Sequence, residues 1–237
     1  TTSLIHHILL QAGVKTQIGG NIGKSVFDLN PPKNEEIIVL ELSSYQLESA
    51  NSLSPDIAVF TNFSPDHLER HGGIKGYFEA KKRLFQDGLP SISVINIDSL
   101  EGQKLLSESD TTSIMVSSGR KQNQKGWLVR HGNQTLIEYK NGIKKFSFNL
   151  NNLGNLPGSH NHENIGLAYA TCVAVGIEKN KISEALETFV GLPHRLQFIA
   201  EKYGVNYIND SKATNPDSVA KALSAFKNIH WICGGKD

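Results

Sequence analysis

The sequence predicts an α/β fold with a mostly parallel central sheet flanked by helices. Short apolar runs within "EEIIVLELSS" (35–44), "DIAVFTNF" (56–63) and "SISVINID" (91–98) alternate with segments of helical periodicity. Such alternation is typical of parallel strands that are buried by helices on both faces. Two further observations complete the prediction: the pattern of runs changes after about residue 108, and a new unit begins after residue 190.

Five helices are expected around these strands. The opening helix, roughly 2–12, has apolar residues at helical spacing, and Gly13 follows it as a C-cap. Ser159 or Asn161 can cap the long helix at about 160–176, and Gly176 can end it. The other three helices are expected within "YQLESANSL" (45–53), at 74–87, and within "KISEALETFVG" (181–191).

A small antiparallel β patch is expected between about 108 and 150. Four short runs, "TSIMVSSG", "GWLVRHGN", "QTLIEYKNG" and "IKKFSFNL", are separated by turn residues. The Asn141-Gly142 pair between the last two runs is a strong hairpin signal. We therefore expect this patch to be attached to the parallel sheet.

The "GLPHR" turn at 191–195 is the predicted domain boundary. It separates a central ATP-binding domain, 1–190, from the start of a second domain, 191–237. The strand "VNYINDSK", the helix "PDSVAKALSAF" and a last strand at "HWICGGKD" form the first βαβ part of a Rossmann-like domain.

Composition excludes several classes of protein. The 237 residues carry a net charge of +1, without a basic block for nucleic acid. No run approaches the roughly 20 apolar residues that span a bilayer, and the first residues lack a signal-peptide pattern. Cys172 and Cys233 lie in separate apolar stretches, so buried free thiols are expected rather than a disulfide. We expect a cytoplasmic protein without a membrane or nucleic-acid partner.

Polar side chains follow two of the predicted strands directly. Glu41 ends the run 37–40, and His67 follows the run 57–60 within a loop rich in functional groups. Ligands of open α/β sheets bind at the carboxyl ends of the strands, where a carboxylate could hold Mg²⁺. A solvated Glu and a hydrogen-bonded loop His are the alternatives for either residue alone. Two adjacent strands that end in candidate ligands favour a site.

Lys81 is a third candidate because it borders the apolar face of the predicted helix at 74–87. Tyr77 and Leu84 lie on that face, four residues before Lys81 and three after it, whereas Lys82 and Arg83 point elsewhere. Lys81 could extend along apolar surface with its ammonium in water. It could instead lie near the crevice at the strand ends.

A second polar loop, "INDSKATNP" (208–216), precedes a predicted helix that begins at Pro216. Thr214 or Asn215 fits the N-cap, and Lys212 adds positive charge to a helix N-terminus that favours anions. The alternative is a plain βα loop, which would not need this combination of groups. The glycine-rich "GGNIG" (19–23) does not match a phosphate loop.

Seven motifs in order resemble those of the Mur ligases of peptidoglycan synthesis. They are "GGNIG", "ELSSYQLE", "TNFSPDHLERHG", "YFEAKKRLF", "GSHNHENIGLAYA", "GLPHR" and "NDSKATNP", and they cover the chain from about 16 to its end. The resemblance implies that ATP phosphorylates a substrate carboxylate and that an incoming amine then attacks the acyl phosphate. "ELSSYQLE" and "NDSKATN" look most like the family member that adds D-glutamate to UDP-N-acetylmuramoyl-L-alanine.

The resemblance also implies roles for individual residues. Glu41 and His67 would hold Mg²⁺, and Lys81 would carry a carbamate that binds a second Mg²⁺. These three would be the catalytic residues. The ATP contacts would be Asn161, Asn164, Arg195 and Asp210, and the substrate contacts Asn21, Ser43, Lys212 and Thr214.

The chain departs from the family pattern at both ends. The family's phosphate loop, its UDP-binding N-terminal domain and most of its amino-acid-binding C-terminal domain are not in the sequence. A lysine expected beyond "GGKD" is also absent, and Lys236 is not a safe substitute. We therefore expect a ligase as the parent protein and an inactive fragment in this chain alone.

Two alternatives stay open. The parent could add another amino acid, as another Mur ligase or a folylpolyglutamate synthase-like enzyme would. It could also be a degenerate, non-catalytic module, although the retention of Glu41, His67 and Lys81 counts against this.

Overall fold

The structure is a computed structural model that describes residues 1–50, 52–65, 68–119, 125–151, 153, 156, 158–214 and 216–234. Eight α-helices run within these residues: α1 Thr2–Gln11, α2 Ser44–Ser49, α3 Leu68–His71, α4 Ile74–Gln86, α5 Leu100–Ser107, α6 Ser159–Val175, α7 Lys179–Thr188 and α8 Pro216–Ser224. Ten strands accompany them: β1 Thr16–Gly20, β2 Ile37–Glu41, β3 Ile57–Phe60, β4 Ile92–Asn96, β5 Thr112–Ser117, β6 Trp127–Gly132, β7 Thr135–Lys140, β8 Ile143–Asn149, β9 Gln197–Lys202 and β10 Val205–Asn209.

The predicted mostly parallel sheet with an antiparallel patch is confirmed. Six strands are ordered β3-β4-β5-β6-β7-β8, with parallel pairing from β3 to β6 and antiparallel pairing from β6 to β8. Strands β1 and β2 form a separate parallel pair. Apolar side chains fill both faces of the large sheet: α1, α6 and α7 contribute to the core on one face, and α4 and α5 to the core on the other.

Strand β5 corrects one part of the prediction. The sequence pattern places "TSIMVSSG" in the antiparallel patch, but β5 pairs in parallel with both β4 and β6. The reason is α5, a helix that the sequence analysis missed, which supplies the crossover between β4 and β5. It is capped by the Ser99 hydroxyl, which accepts a hydrogen bond from Gly102 N at 3.0 Å. Leu105 buries its inner face, while Leu100 is exposed.

The N-cap of α6 is another correction. The helix begins one residue earlier than expected, and its N-cap is Gly158 without a side-chain cap, in place of Ser159 or Asn161. Gly158 has φ +92, a conformation that glycine adopts without strain. Gly176, with φ +100, ends the helix as predicted.

The segment after residue 196 differs from the expected βαβ unit. Strand β9 was not predicted, and it pairs with β10 as an antiparallel hairpin before α8. The expected last strand does not form in the described residues 225–234, whose backbone has no sheet partner. A strand needs a neighbour to satisfy its N–H and C=O groups, and none lies beside this segment.

The prediction of two buried free thiols is confirmed for Cys172 and wrong about the burial of Cys233. Both thiols are free, and Cys172 is buried, but Cys233 is exposed on the segment that lacks a sheet. Among the helices that the structure describes, none is both long and apolar enough to cross a membrane.

A buried histidine makes the stability of this fold sensitive to acid. His131 is the penultimate residue of β6. It packs against Gly166 of α6, and Asp98 and His162 lie within electrostatic range of its side chain. Burial lowers the pKa of His131 from 6.5 to about 4, with a smaller contribution from His162 and an opposing one from Asp98. The folded protein therefore keeps this imidazole neutral at a pH where the unfolded chain protonates it.

We expect the free energy of unfolding to fall as the pH is lowered from about 6.5 to about 4, and the contribution of His131 to reach about 3 kcal/mol. Urea unfolding of the wild type and of His131→Asn at several pH values measures it. The unfolding free energy of the variant should depend less on pH than that of the wild type. Part of the pH dependence that remains should come from His162, because burial also lowers the pKa of that side chain. Parallel pH curves for the two proteins would contradict the assignment to His131.

Candidate nucleotide and metal site

A cavity of about 570 Å³ opens beside the carboxyl end of β3. Its wall combines the loop after β3, helix α4, the first turns of α6 and α8, and the loops at 195–196 and 210–213. Its lining residues are Thr61, Asn62, Ser64, Pro65, Tyr77, Lys81, His160, Asn161, Glu163, Asn164, Arg195, Leu196, Asp210, Lys212, Ala213, Pro216, Ser218 and Ala222. Six of the sequence-predicted site residues therefore share one cavity: Lys81, Asn161, Asn164, Arg195, Asp210 and Lys212.

Helix α4 presents Lys81 to the cavity because its apolar residues face the sheet. Phe78 and Phe85 are buried against Phe60 of β3, with edge-to-face ring contacts at 6.5 and 6.2 Å. Lys81 Nζ lies 4.9 Å from the ring centroid of Tyr77, within cation–π range. The aromatic ring and the packed face of α4 thus hold the ammonium group in place.

Lys82, the neighbour of Lys81 in sequence, does not line the cavity. Its side chain is buried, and its ammonium lies 2.5 Å from Glu108 Oε2, next to α5. This charge pair connects α4 to α5 on the side away from the cavity lining. Lys81 therefore lines the cavity, whereas Lys82, its neighbour in sequence, forms an ion pair between two helices.

The loops that bring Arg195 and Asp210 together are joined by hydrogen bonds. Asp210 Oδ1 accepts from Leu196 N at 3.0 Å, and Lys212 N donates to His194 O at 3.1 Å. His194 and Leu196 have φ +63 and +45, a sparsely populated conformation for residues other than glycine. The bonds between the two loops compensate for that strain and keep Arg195 and Lys212 at the cavity.

The N-terminus of α6 carries the asparagine candidates. Asn164 Oδ1 accepts a hydrogen bond of 2.5 Å from Thr1 Oγ1, so the start of α1 meets the start of α6 at the cavity. Asn62 Nδ2 donates to Glu163 Oε1 at 3.3 Å across the cavity wall. The wall therefore alternates amide groups with charges of both signs.

Glu41 and Asn21 do not line the cavity but adjoin each other at the end of the β1–β2 pair. Asn21 N donates to Glu41 O at 2.7 Å, and Gly20 is the register partner of Glu41. Glu41, Glu163 and Arg195 all lie within electrostatic range of the backbone nitrogen of Thr1. The carboxylate is therefore close to the cavity without forming its wall.

Gly20 explains why "GGNIG" is glycine-rich. It has φ +100, and a Cβ atom built on it would lie 2.2 Å from Glu41 O. We expect Gly20→Ala to cost at least 2 to 3 kcal/mol of unfolding free energy, about 1 from the backbone conformation and the rest from the overlap. Gly13→Ala is the matched control, since Gly13 has φ +84 and nothing within 4 Å. Urea unfolding compares them, and equal losses would contradict the steric argument.

The remaining predicted site residues do not line the cavity or lie outside the described residues. Ser43 is the N-cap of α2 in a capping box: its hydroxyl accepts from Gln46 N at 3.3 Å, and Gln46 Oε1 accepts from Ser43 N at 2.9 Å. Thr214 is exposed and lies outside the cavity lining. His67, Asn215 and Lys236 lie outside the described residues. Within those residues, no group of three His, Cys, Asp or Glu side chains is arranged to hold a metal ion.

Several cavity residues were missed by the sequence analysis. Tyr77 was assigned to the apolar face of α4, yet it both packs inward and lines the cavity. Glu163 lies between the two predicted asparagines, so the same motif could have indicated it. Thr61, Asn62 and Ser64 belong to the polar loop after β3, whose functional groups were noted from the sequence without a role for these three.

An α/β sheet with a polar cavity at its carboxyl edge is typical of a nucleotide-binding domain. Residues 1–172 match the family model described as the Mur ligase middle domain. The chain therefore belongs to the Mur ligase family, and the resemblance predicted from its seven motifs is confirmed.

Two curated relatives with the same name illustrate the similarity. A UDP-N-acetylmuramoylalanine–D-glutamate ligase of Cereibacter sphaeroides is 51% identical over 99% of this chain, and the one of Jannaschia sp. is 52% identical over the same share. In both comparisons the match spans 52% of the relative, so the chain spans about half the length of the curated relatives it matches.

Solved structures support the fold. MurF from Acinetobacter baumannii aligns with a TM-score of 0.69 and 19% identity, over 97% of this chain and 51% of that one. The UDP-N-acetylmuramate-alanine ligase MurC from Thermotoga maritima aligns with a TM-score of 0.67 and 20% identity, over 94% and 50%.

Proposed function

We propose that the protein containing this chain is an ATP-dependent ligase that adds D-glutamate to UDP-N-acetylmuramoyl-L-alanine in peptidoglycan synthesis. The observation that carries the proposal is the single cavity that unites Lys81, Asn164, Arg195 and Asp210, in a chain about half identical to ligases of that name. Residues 1–190 would be the ATP-binding domain, and 191–237 the start of the amino-acid-binding domain. We place the enzyme in the cytoplasm, where its nucleotide substrates are made.

ATP would bind in the cavity with its phosphates toward the cations. The guanidinium of Arg195 and the ammonium of Lys212 supply positive charge. Asn161 and Asn164 offer amide groups to the adenine, and Asp210 has a second carboxylate oxygen for the ribose. Thr1 fixes the orientation of the Asn164 amide.

The donor set near the cavity fits Mg²⁺ in its chemistry. Hard cations prefer oxygen, and Glu41 provides a carboxylate near a wall that carries Thr61, Asn62 and Ser64. Glu41, His67 and Lys81 would hold two Mg²⁺ ions, with Lys81 converted to a carbamate because its ammonium form has no acceptor. When bound, the ions would neutralise the charge that develops on the transferred phosphoryl group.

The chain's own residues would prepare the transfer. Arg195 and Lys212 hold the leaving diphosphate, while Lys81 stays beside Tyr77 and the polar loop where the carboxylate must approach. Asn21 and Ser43, next to Glu41 and on α2, would face the muramoyl substrate, and Thr214 the D-glutamate. Positioning of this kind accounts for much of the rate in phosphoryl transfer.

The test uses the full-length protein that contains this chain, purified and supplied with ATP, Mg²⁺ and UDP-N-acetylmuramoyl-L-alanine. D-glutamate, L-glutamate, L-alanine and a diamino acid are compared as the incoming amine. We expect amino-acid-dependent ADP release, and a product whose mass corresponds to one added glutamate, with D-glutamate alone. Preference for another amino acid would replace the substrate assignment, and no ADP release with any of them would overturn the ligase proposal.

A further inference from the structure

Two residues of the sequence motifs, His71 and Glu48, do not line the cavity, yet they form a polar contact between helices α2 and α3. His71 ends α3, and its side chain is fully buried. Its Nδ1 lies 2.8 Å from Glu48 Oε1, and its Nε2 lies 3.0 Å from Ser44 Oγ. Because a carboxylate only accepts hydrogen bonds, Nδ1 is the protonated nitrogen that donates to Glu48.

Aromatic rings enclose the same imidazole on both sides. The ring centroid of Tyr45, on α2, lies 5.5 Å from that of His71, and the centroid of Tyr77, on α4, lies 5.3 Å away. Tyr77 in turn lies 4.9 Å from Lys81 Nζ. His71 is thus one contact away from Lys81 on one side.

His71 also contacts Ser44, which follows Ser43 in the sequence. Its hydrogen bonds go to Ser44 and Glu48, which belong to the helix that Ser43 caps. Two more contacts reinforce this link: Arg70 lies 3.2 Å from Glu48 Oε2, and Arg83 of α4 donates to Glu48 O at 2.8 Å. Helix α2 is therefore fixed to α3 and α4 through Glu48.

We propose that His71 and Glu48 are positioning residues that hold the Ser43 end of α2 at a fixed distance from Lys81. This inference rests on the proposed function, in which Ser43 faces the muramoyl substrate and Lys81 faces the reacting carboxylate. Neither His71 nor Glu48 touches the cavity, so they act through Tyr77 and α2. We call this set of contacts a latch. It would keep Ser43, which faces the muramoyl substrate, at a constant distance from Lys81, which faces the reacting carboxylate.

The tightness of the α3–α4 junction supports a rigid latch. A Cβ atom on Gly76 would lie 1.9 Å from His71 O, so the first turn of α4 packs directly on the backbone of His71. Gly72 and Gly73, with φ +66 and +108, make the sharp turn between the two helices. A displacement of the His71 backbone would therefore displace the first turn of α4, the helix that carries Lys81.

The experiment compares His71→Phe, His71→Asn and Glu48→Gln with the wild type in the full-length protein. Phenylalanine fills the space but donates no hydrogen bond, whereas the Asn amide can replace Nδ1. Glu108→Gln is the matched control, because it weakens the Lys82 contact that anchors the same helix α4 away from the cavity. Steady-state kinetics, thermal unfolding and amide hydrogen exchange are measured for each variant.

We expect His71→Phe to lower kcat roughly 10- to 100-fold with KM for ATP little changed, since small displacements of reacting groups cost rates of this order. His71→Asn should recover part of the loss. Glu48→Gln keeps an oxygen that can accept from Nδ1, so it should cost less than His71→Phe. Added to His71→Phe, it should change little, because the contact with Nδ1 is already lost. Exchange should accelerate in α2 and α4 together in His71→Phe, and not in Glu108→Gln.

A drop in kcat no larger than that of Glu108→Gln at equal loss of thermal stability would overturn the proposal, as would additive losses in the double variant. Absence of ligase activity in the wild type would overturn the proposed function instead. In that case, hydrogen exchange alone decides whether His71 joins α2 to α4. Uncoupled exchange in the two helices would then refute the latch.

Discussion

Lys179→Met is expected to lower the free energy of unfolding by about 3 kcal/mol, the cost of leaving a buried charge without its partner. Glu138 on β7 is fully buried, and its Oε2 lies 2.6 Å from Lys179 Nζ at the start of α7. The same oxygen accepts a hydrogen bond of 2.8 Å from the Tyr169 hydroxyl. Burial, and then this bond to Glu138, raise the pKa of Tyr169 well above its usual value. The lysine is therefore the cation that makes a buried carboxylate tolerable.

A double-mutant cycle separates this charge effect from the loss of packing. Glu138→Gln keeps an acceptor for the Tyr169 hydroxyl and should cost only about 1 kcal/mol, since Lys179 is partly exposed and can turn to solvent. Lys179→Met combined with Glu138→Gln should then be more stable than Lys179→Met alone. Lys181→Met, an exposed lysine of the same helix, is the control. Urea unfolding at pH 7 measures all four, and a double variant less stable than Lys179→Met would contradict the argument.

Local signals in the sequence were sufficient for much of the fold. Asn141 and Gly142 adopt φ +51 and +77, the paired positive values that a two-residue hairpin turn requires, and the hairpin β7–β8 forms there. The apolar runs that predicted β3 and β4 are paired in parallel. These predictions succeeded because each depends on a few neighbouring residues.

The failures depend on contacts between distant residues. Strand β5 has the same composition whether its neighbours are parallel or antiparallel, and α5, which decides this, has only a weak apolar pattern with Leu100 exposed. The buried Glu138 could not be predicted, because its partners lie on α6 and α7. Strand β9 forms through pairing with β10, and nearly all its residues are exposed.

In the candidate site, too, what could be predicted depends on local sequence, and what could not depends on contacts between distant residues. Residues of one motif, such as Asn161 and Asn164, share the cavity because one helix carries both, and Lys81 joins them through the packing of α4 on β3. The distance between these elements and Glu41, which lies just beyond the wall, depends on the folded arrangement and has no local signal in the sequence. Ser43 was predicted as a substrate contact from its motif alone, and the capping box with Gln46 is a second use of its hydroxyl.

Lys81→Met is the change that should affect the reaction most. Lys81 is the cavity residue of α4 that would carry the carbamate, and Met retains its length without a charge or a site for CO₂. We expect kcat of the full-length protein to fall at least roughly 10³-fold, as for other groups that stabilise developing charge. Stability should change by less than about 1 kcal/mol, because Lys81 lines the cavity and its cation–π contact with Tyr77 is of that order.

Lys75→Met supplies the comparison for this prediction, since Lys75 is an exposed lysine of the same helix and does not line the cavity. It removes the same charge from α4, so any effect of net charge on substrate attraction appears in both variants. The difference between their kcat values then reports what the position of Lys81 contributes. If Lys81→Met kept more than a tenth of the wild-type kcat, Lys81 would be a cavity-lining cation that only assists binding, and the carbamate role would be wrong.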